Sequence, residues 1–243
     1  MGNARSFTVD QFITEKQFDL RDKLTNGRFE TGELLGYANR SYEMIYMILA
    51  NMNSDMVATG TGTITLADGT AEYTLSSASM GDFWLPYRLN KQNHQGQSLY
   101  SIYLTDSSSG VHDALPMIEY EDHMDDLLSG TSGEAQPQGF YLFSGNMGFS
   151  PVPDAAYTCT VLKYIPNFTP LSSASGSTPA SAMPLYGIFN QDIGYGMELF
   201  AKQRNDASTV AVEAQLMDYF REQAIKIMGK RQHQPSSFRP RWR

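Results

Sequence analysis

Carboxylates crowded beside a histidine are the strongest chemical signal in the chain. Glu119, Glu121, Asp122, His123, Asp125 and Asp126 follow one another almost without a break. Such a set could hold a hard cation or supply the acid and base of a hydrolase. The spacing fits neither use: there is no Asp-x-Asp-x-Asp-Gly calcium loop and no His-Glu-x-x-His. Residues 117–128 read as a helix with Tyr120, Met124, Leu127 and Leu128 on one face, which leaves the acids as its solvated side. The remaining candidates are weaker. Gly60-Thr61-Gly62 lacks the third glycine, the lysine and the following helix of a phosphate loop. His94, His112, His123 and His233 are scattered, and no Gly-x-Ser-x-Gly elbow exists. Cys159 alternates with Tyr157 and Val161 as a small buried strand residue. Trp84 could stack a base or a sugar, but beside Leu85 and Leu89 it reads as core. No catalytic residue, metal site or cofactor site is expected.

The elements that would position these residues change character twice along the chain. Thr8-Val9-Asp10-Gln11 is a capping box flanked by Phe7 and Phe12, and it opens a helix expected to stop at Asn26-Gly27. A second helix starts near Thr31 and carries an apolar seam from Leu34 to Met52. The short loop between them predicts an antiparallel pair. From Val57 the apolar period drops to two. Thr63–Leu66 and Glu72–Leu75 flank Asp68-Gly69, a hairpin signal. Strand-like runs follow at 83–89, 99–104, 139–143 and 157–164. Residues 171–182 are a Ser/Ala/Gly/Pro stretch that reads as a linker without packing potential. Helical spacing returns in a third helix from Pro184 and Leu185 to Ala201, interrupted by Gly187, Gly194 and Gly196. A fourth runs from Val210 to about Gly229.

The expected fold is therefore α+β: a four-helix bundle made of N- and C-terminal helix pairs, an inserted antiparallel β-domain, and an extended C-terminal tail. The boundaries are 1–56 and 183–229 for the bundle halves, 57–170 for the insertion, 171–182 for the linker and 230–243 for the tail.

Charge is unevenly spread. The 243 residues carry a net charge of -8. Residues 1–222 hold 12 basic and 26 acidic residues, a net of -14, while the stretch after Glu222 has six basic residues and no acid. An acidic body repels nucleic acid over most of its surface, and a basic arm suits an acidic partner. One cysteine excludes a disulfide framework and a Cys-x-x-Cys zinc site. No apolar run reaches the length of a membrane helix, and MGNARSFTVDQF lacks the apolar core of a signal peptide. A soluble protein without a membrane partner is expected.

Several local motifs occur in a telling order. Leu20-x-Asp22 and Phe29 precede Leu34-Leu35-x-Tyr37-x-Asn39. Leu85-Pro86 follows the first strands. Phe140-Tyr141, then Phe149-Ser150-Pro151-x-Pro153-Asp154, then Tyr157-Thr158 through Lys163-Tyr164 continue to Pro166 and Leu171, and Met183-Pro184-Leu185 opens the C-terminal helices. This set resembles the head–tail adaptor, or connector, proteins of tailed bacteriophages over nearly the whole chain. Its glycine-rich third helix and the long insert near 105–138 depart from the usual pattern.

The resemblance implies a non-enzymatic virion protein of the neck, made in the host bacterial cytoplasm. It implies a homo-oligomeric ring, twelve copies in the family, that binds below the portal protein and meets a tail tube or nozzle protein. DNA would pass through the channel without sequence-specific binding during assembly and genome ejection. The extended C-terminus of such adaptors docks on the portal. Here Phe238, Arg239, Arg241, Trp242 and Arg243 would carry that contact, since aromatic and arginine side chains dominate interface hot spots. That arm is expected to order only on docking. The alternatives are another neck or tail-completion ring, a carbohydrate-acting hydrolase using residues 119–126, and a single-stranded nucleic-acid binder, which the acidic body disfavours.

Overall fold

The computed structural model describes residues 7–20, 28–75, 80–106, 110–128, 133–176, 178–203 and 209–232. It is an α+β fold of helices and antiparallel strand ladders. The chain divides into two compact units, one of residues Met1–Met52 with Phe168–Arg243 and one of Asn53–Asn167.

The first unit is helical. α1 (Val9–Asp19) begins as the sequence specifies: the Gln11 N–H donates to the Thr8 hydroxyl at 3.3 Å, and the Thr8 N–H donates to the Gln11 side chain at 3.0 Å. Phe7 and Phe12 meet edge to face with centroids 6.4 Å apart, which closes the staple. The helix is shorter than expected, with its C-cap at Leu20, and the anticipated Asn26-Gly27 stop lies outside the described residues.

α2 (Thr31–Asn51) buries the expected seam, including Leu34, Ala38, Ile45 and Leu49. Its main partners are α4 (Asn190–Lys202) and α5 (Thr209–Gln232) rather than α1. Short α1 instead seats Lys16 on α4, where the Lys16 ammonium pairs with Glu198 at 3.4 Å.

The α4 glycines have a packing reason. A Cβ on Gly194 would overlap the Lys16 side chain, and one on Gly196 would overlap Ser41 of α2 and press on Phe220 of α5. The helix gives up propensity, about 1 kcal/mol per glycine, to let three elements approach closely. Two expectations are corrected at these helices. The stretch from Leu185 is a 3₁₀ turn, Leu185–Gly187, because Leu185 (φ 55°) and Gly187 (φ 71°) are left-handed, so α4 starts at Asn190. α5 runs through Gly229 to Gln232, and that glycine has open space around its Cβ position.

The Ser/Ala-rich stretch is also more than a tether. Asn39 grips Leu171 at both ends of its amide: the Leu171 N–H donates to Oδ1 at 2.6 Å, and Nδ2 donates to the Leu171 carbonyl at 3.1 Å. The Val9 N–H donates to the Ser181 carbonyl and the Met183 N–H to the Phe7 carbonyl, each at 2.9 Å. Low side-chain apolarity concealed packing that runs through the backbone.

The second unit is built on sheets. β1 (Gly62–Leu66), β9 (Tyr157–Val161), β5 (Ser98–Asp106) and β4 (Arg88–Gln92) are neighbours in that order, and β6 (Gly110–Pro116) also pairs with β5. β3 (Phe83–Pro86) pairs with β10 (Tyr164–Pro166). β2 (Glu72–Thr74), β8 (Asn146–Ser150) and β7 (Gly139–Phe143) form a smaller sheet.

The expected hairpin across Asp68-Gly69 does not form: β1 pairs with β9 and β2 with β8. Gly69 (φ 70°) does make the turn, which closes through the Thr70 N–H on the Ala67 carbonyl at 3.2 Å and is braced by a side chain. The Tyr73 hydroxyl accepts from the Ala67 N–H at 2.7 Å and donates to the Thr70 carbonyl at 2.9 Å. Ile64 and Leu66 are buried against β9, so non-local burial wins over the local pairing that the turn residues favour.

Candidate functional site

The acidic helix is real and has an unexpected floor. α3 (Tyr120–Leu128) lies on one face of the small sheet. Across that sheet Tyr141, Gly148 and Glu72 stand in register, and so do Phe143, Asn146 and Thr74. Because side chains alternate, the two rows share a face.

Tyr120 of α3 stacks on Phe143 with centroids 4.1 Å apart and planes 7° apart, and its ring also lies 5.5 Å from that of Tyr141. His123 stacks on Tyr141 at 4.6 Å and is buried. Gly148 leaves room for the Tyr141 ring, which a Cβ would overlap. The Tyr141 hydroxyl donates to Glu72 at 3.3 Å, and the Asn146 amide donates to the same carboxylate at 3.3 Å. Burial, with Glu72 second, pushes the Tyr141 phenol far above its ordinary pKa.

Phe143 nevertheless keeps 46% of its surface open. Glu119, Glu121 and Asp122 are exposed and make no ion pair among the described residues. The result is a part-open aromatic platform formed with a helix that carries exposed carboxylates before and after Tyr120 in sequence. The sequence showed the acids. It hid the platform, because Phe143 is a strand residue whose partner, Tyr120, lies on a separate helix more than twenty residues away.

The acids do not converge. Among the described residues no group of three His, Cys, Asp or Glu side chains could hold a metal. The side chains of Asp125 and Asp126 lie outside the described residues. A helix face without a cleft was expected, and Asp122 corrects that in part. It lines an open cleft of about 460 Å³ with Asn93, His94, Gln95, Gln97 and Gln138. Among the described residues Asp122 is the one carboxylate on that lining, whereas a two-carboxylate glycosidase needs a facing pair.

The other candidates fall into the frame. Cys159 is fully buried, and desolvation pushes its thiol up to about 12, so it is neutral and shielded. Gly62 lies under Met80, whose side chain a Cβ would overlap. Trp84 is half-buried on β3. The arm residues Phe238, Arg239, Arg241, Trp242 and Arg243 lie outside the described residues.

Several of the motif residues that are described turn out to be structural, and Asp22 lies outside the described residues. Asn39 and Leu171 form the clamp described above. Pro86 pairs with Tyr164, and Leu85 with Ile165. Phe140 and Phe149 face each other across β7 and β8, both fully buried. Pro153 accepts the Gly69 N–H at 2.9 Å, and Asp154 accepts the Tyr157 hydroxyl at 2.7 Å. A family model, SU10 adaptor protein, matches residues 7–241. The chain belongs to that family.

The SU10 adaptors are a phage head–tail adaptor family, so the protein has a structural adaptor role in the virion neck. No curated protein matches the chain. Among the described residues no helix is long and apolar enough to cross a membrane. The adaptor's recognisable residues hold its frame, whereas the platform on α3 and β7 lies outside the quoted motifs except at Tyr141.

Proposed function

We propose that this adaptor assembles as a ring, twelve copies as the family resemblance implies, beneath the portal. There it extends the DNA channel towards the tail tube or nozzle in assembly and genome ejection. The family match over residues 7–241 carries this reading. Within it, α1, α2, α4 and α5 as far as Gly229 are the bundle body, residues 57–170 the insertion, and residues 230–243, the first three of which close α5, the portal-docking arm.

Charge supports the assignment. Dense Lys and Arg would hold passing phosphates, and a body of -14 lacks them. Phe238 and Trp242 have apolar area to bury in a groove, and Arg239, Arg241 and Arg243 suit bidentate pairing with carboxylates. Ordering the arm costs about 1–2 kcal/mol per residue, so many copies engaging at once are needed to hold it.

Negative-stain imaging of the protein alone and with its portal tests the reading. Rings stacked on the portal are expected, and a chain that forms no ring in either sample overturns it. Deleting residues 232–243 should leave the body folded and abolish stable portal attachment. Trp242→Ala should weaken attachment by roughly 2 kcal/mol or more. Unchanged portal affinity in the truncated protein would return the arm to a solubilising role.

A further inference from the structure

The open platform on α3 and β7 has a chemistry that selects its occupant. The Phe143 ring, stacked on Tyr120 at 4.1 Å, is 46% exposed. Exposed Glu119 and Glu121 flank Tyr120 in sequence, and exposed Glu72 is tied to Tyr141 beneath it. The whole second unit holds 3 basic and 13 acidic residues, a net of -10. The fitting ligand is a segment with planar cations to lie on aromatic faces, guanidinium groups to pair with carboxylates, and further rings to extend the stack. This chain contains such a segment. Residues 223–243 have six basic residues and no acid, and end in Phe238-Arg239-Pro240-Arg241-Trp242-Arg243.

We propose that, before the portal is met, the α3–β7 platform of one copy receives the C-terminal segment of a second copy, residues 233–243. This rests on the ring reading in one respect: a ring presents each segment to neighbouring platforms repeatedly, so weak contacts accumulate. Eleven extended residues reach roughly 35–40 Å, enough to pass from one subunit to the next. Portal attachment is then an exchange in which the arm leaves an acidic aromatic site for another. The parked arm also covers Phe238 and Trp242 while the protein waits for its partner, which limits non-specific association.

The test uses the full chain with a photo-activatable benzoylphenylalanine in place of Phe238. Isotope-labelled and unlabelled chains are mixed, irradiated without portal, and the cross-linked peptides mapped by mass spectrometry. Cross-links between labelled and unlabelled chains, landing within residues 117–146, are expected. Phe143→Ala should lower their yield about tenfold, and Glu119→Gln with Glu121→Gln should lower it several-fold and flatten its dependence on salt. Phe143 is half-open, and Glu119 and Glu121 are solvent-exposed, so unchanged melting curves will certify these variants as folded. Cross-links within one chain, cross-links elsewhere, or yields indifferent to both variants overturn the proposal. A second irradiation with portal present separates the two readings. If inter-copy cross-links persist and none reach the portal, portal docking fails and this proposal stands. If portal cross-links form but the portal-free sample shows none on the platform, the reverse holds.

Discussion

The two units handle their carboxylates differently. In the helical unit 15 basic residues face 13 acidic ones, and several are joined directly. Lys16 meets Asp19 at 2.7 Å and Glu198 at 3.4 Å, and Arg40 pairs with Glu213 while lying 4.9 Å over the Phe200 ring. In the β unit the donors are mostly tyrosines. Tyr164 donates to Asp82 and Tyr157 to Asp154, each at 2.7 Å, and Tyr141 donates to Glu72. The helical unit has such pairs too, Tyr37 with Glu33 and Tyr219 with Asp192, but in addition to its cations. A phenol satisfies a carboxylate's hydrogen bonding without cancelling its charge. The β unit thus remains strongly negative although Glu72, Asp82 and Asp154 are structurally fixed, and negative potential on a fixed frame suits a surface that must repel phosphate or receive a basic segment.

The sharpest way to break the comparison is to unfold one unit at a time. Gly148→Leu drives a side chain into Tyr141 and should cost about 3 kcal/mol or more in the β unit, and Gly196→Leu should do the same in the helical unit against Ser41 and Phe220. Denaturant melts followed by hydrogen exchange should show the loss confined to the substituted unit. Loss of protection spread equally over both would show that they do not fold separately.

Alkaline titration comes next. The Cys159 thiol, 9.0 when free, is held up to about 12 by burial, and Tyr164 is raised from 10.0 to about 12 by burial and by Asp82. The folded state therefore keeps protons that the unfolded state sheds. The Cys159 contribution is intact below pH 9 and should be lost between about pH 9 and 12, at about 1.4 kcal/mol per pH unit, and that of Tyr164 should be lost between about pH 10 and 12. Cys159→Ala should make the urea midpoint less sensitive to pH across that window.

Tyr164→Phe removes the hydroxyl from Asp82 and should cost roughly 1–2 kcal/mol. The loss should be nearly the same at low and high salt, because a neutral donor has gone; a strongly salt-dependent loss would undo the distinction drawn between the units. The smallest effect belongs to the β unit's exposed ion pair. Lys163→Ala, which leaves Asp55 to Tyr87, should change the melting free energy by less than about 1 kcal/mol, and salt should erase most of that change.

The α1 cap and the α2 seam were legible because their signals are local, whereas the start of α4 and the end of α5 were not. The Thr8–Gln11 box, the α2 seam and the Thr-rich alternation of β1 and β9 each lie within a single element. Strand partners were not legible. Asp68-Gly69 correctly marks a turn, yet only burial across more than ninety residues assigns β1 to β9. β8 lacked the β-branched alternation that flags a strand, since Gly148 is there to make room for the Tyr141 ring. The glycines of α4 looked like weakness and proved to be contact points. The platform escaped for the same reason as the strand pairing: Tyr120 and Phe143 are ordinary residues until the fold stacks them.

One small contact bears on how the chain becomes a fold. Thr59 and Tyr164 exchange both backbone hydrogen bonds, at 2.8 and 3.2 Å, near the two ends of the β unit. The helical unit is assembled from two stretches separated by that whole unit, and Asn39 must find Leu171 across 132 positions. For an open chain of about a hundred residues the logarithmic part of the closure entropy costs about 4 kcal/mol. A β unit that folds first and ties off its own ends has already met that cost. What reaches the helices is then a short connection with its ends held together, and the order of synthesis matters less than the order of closure.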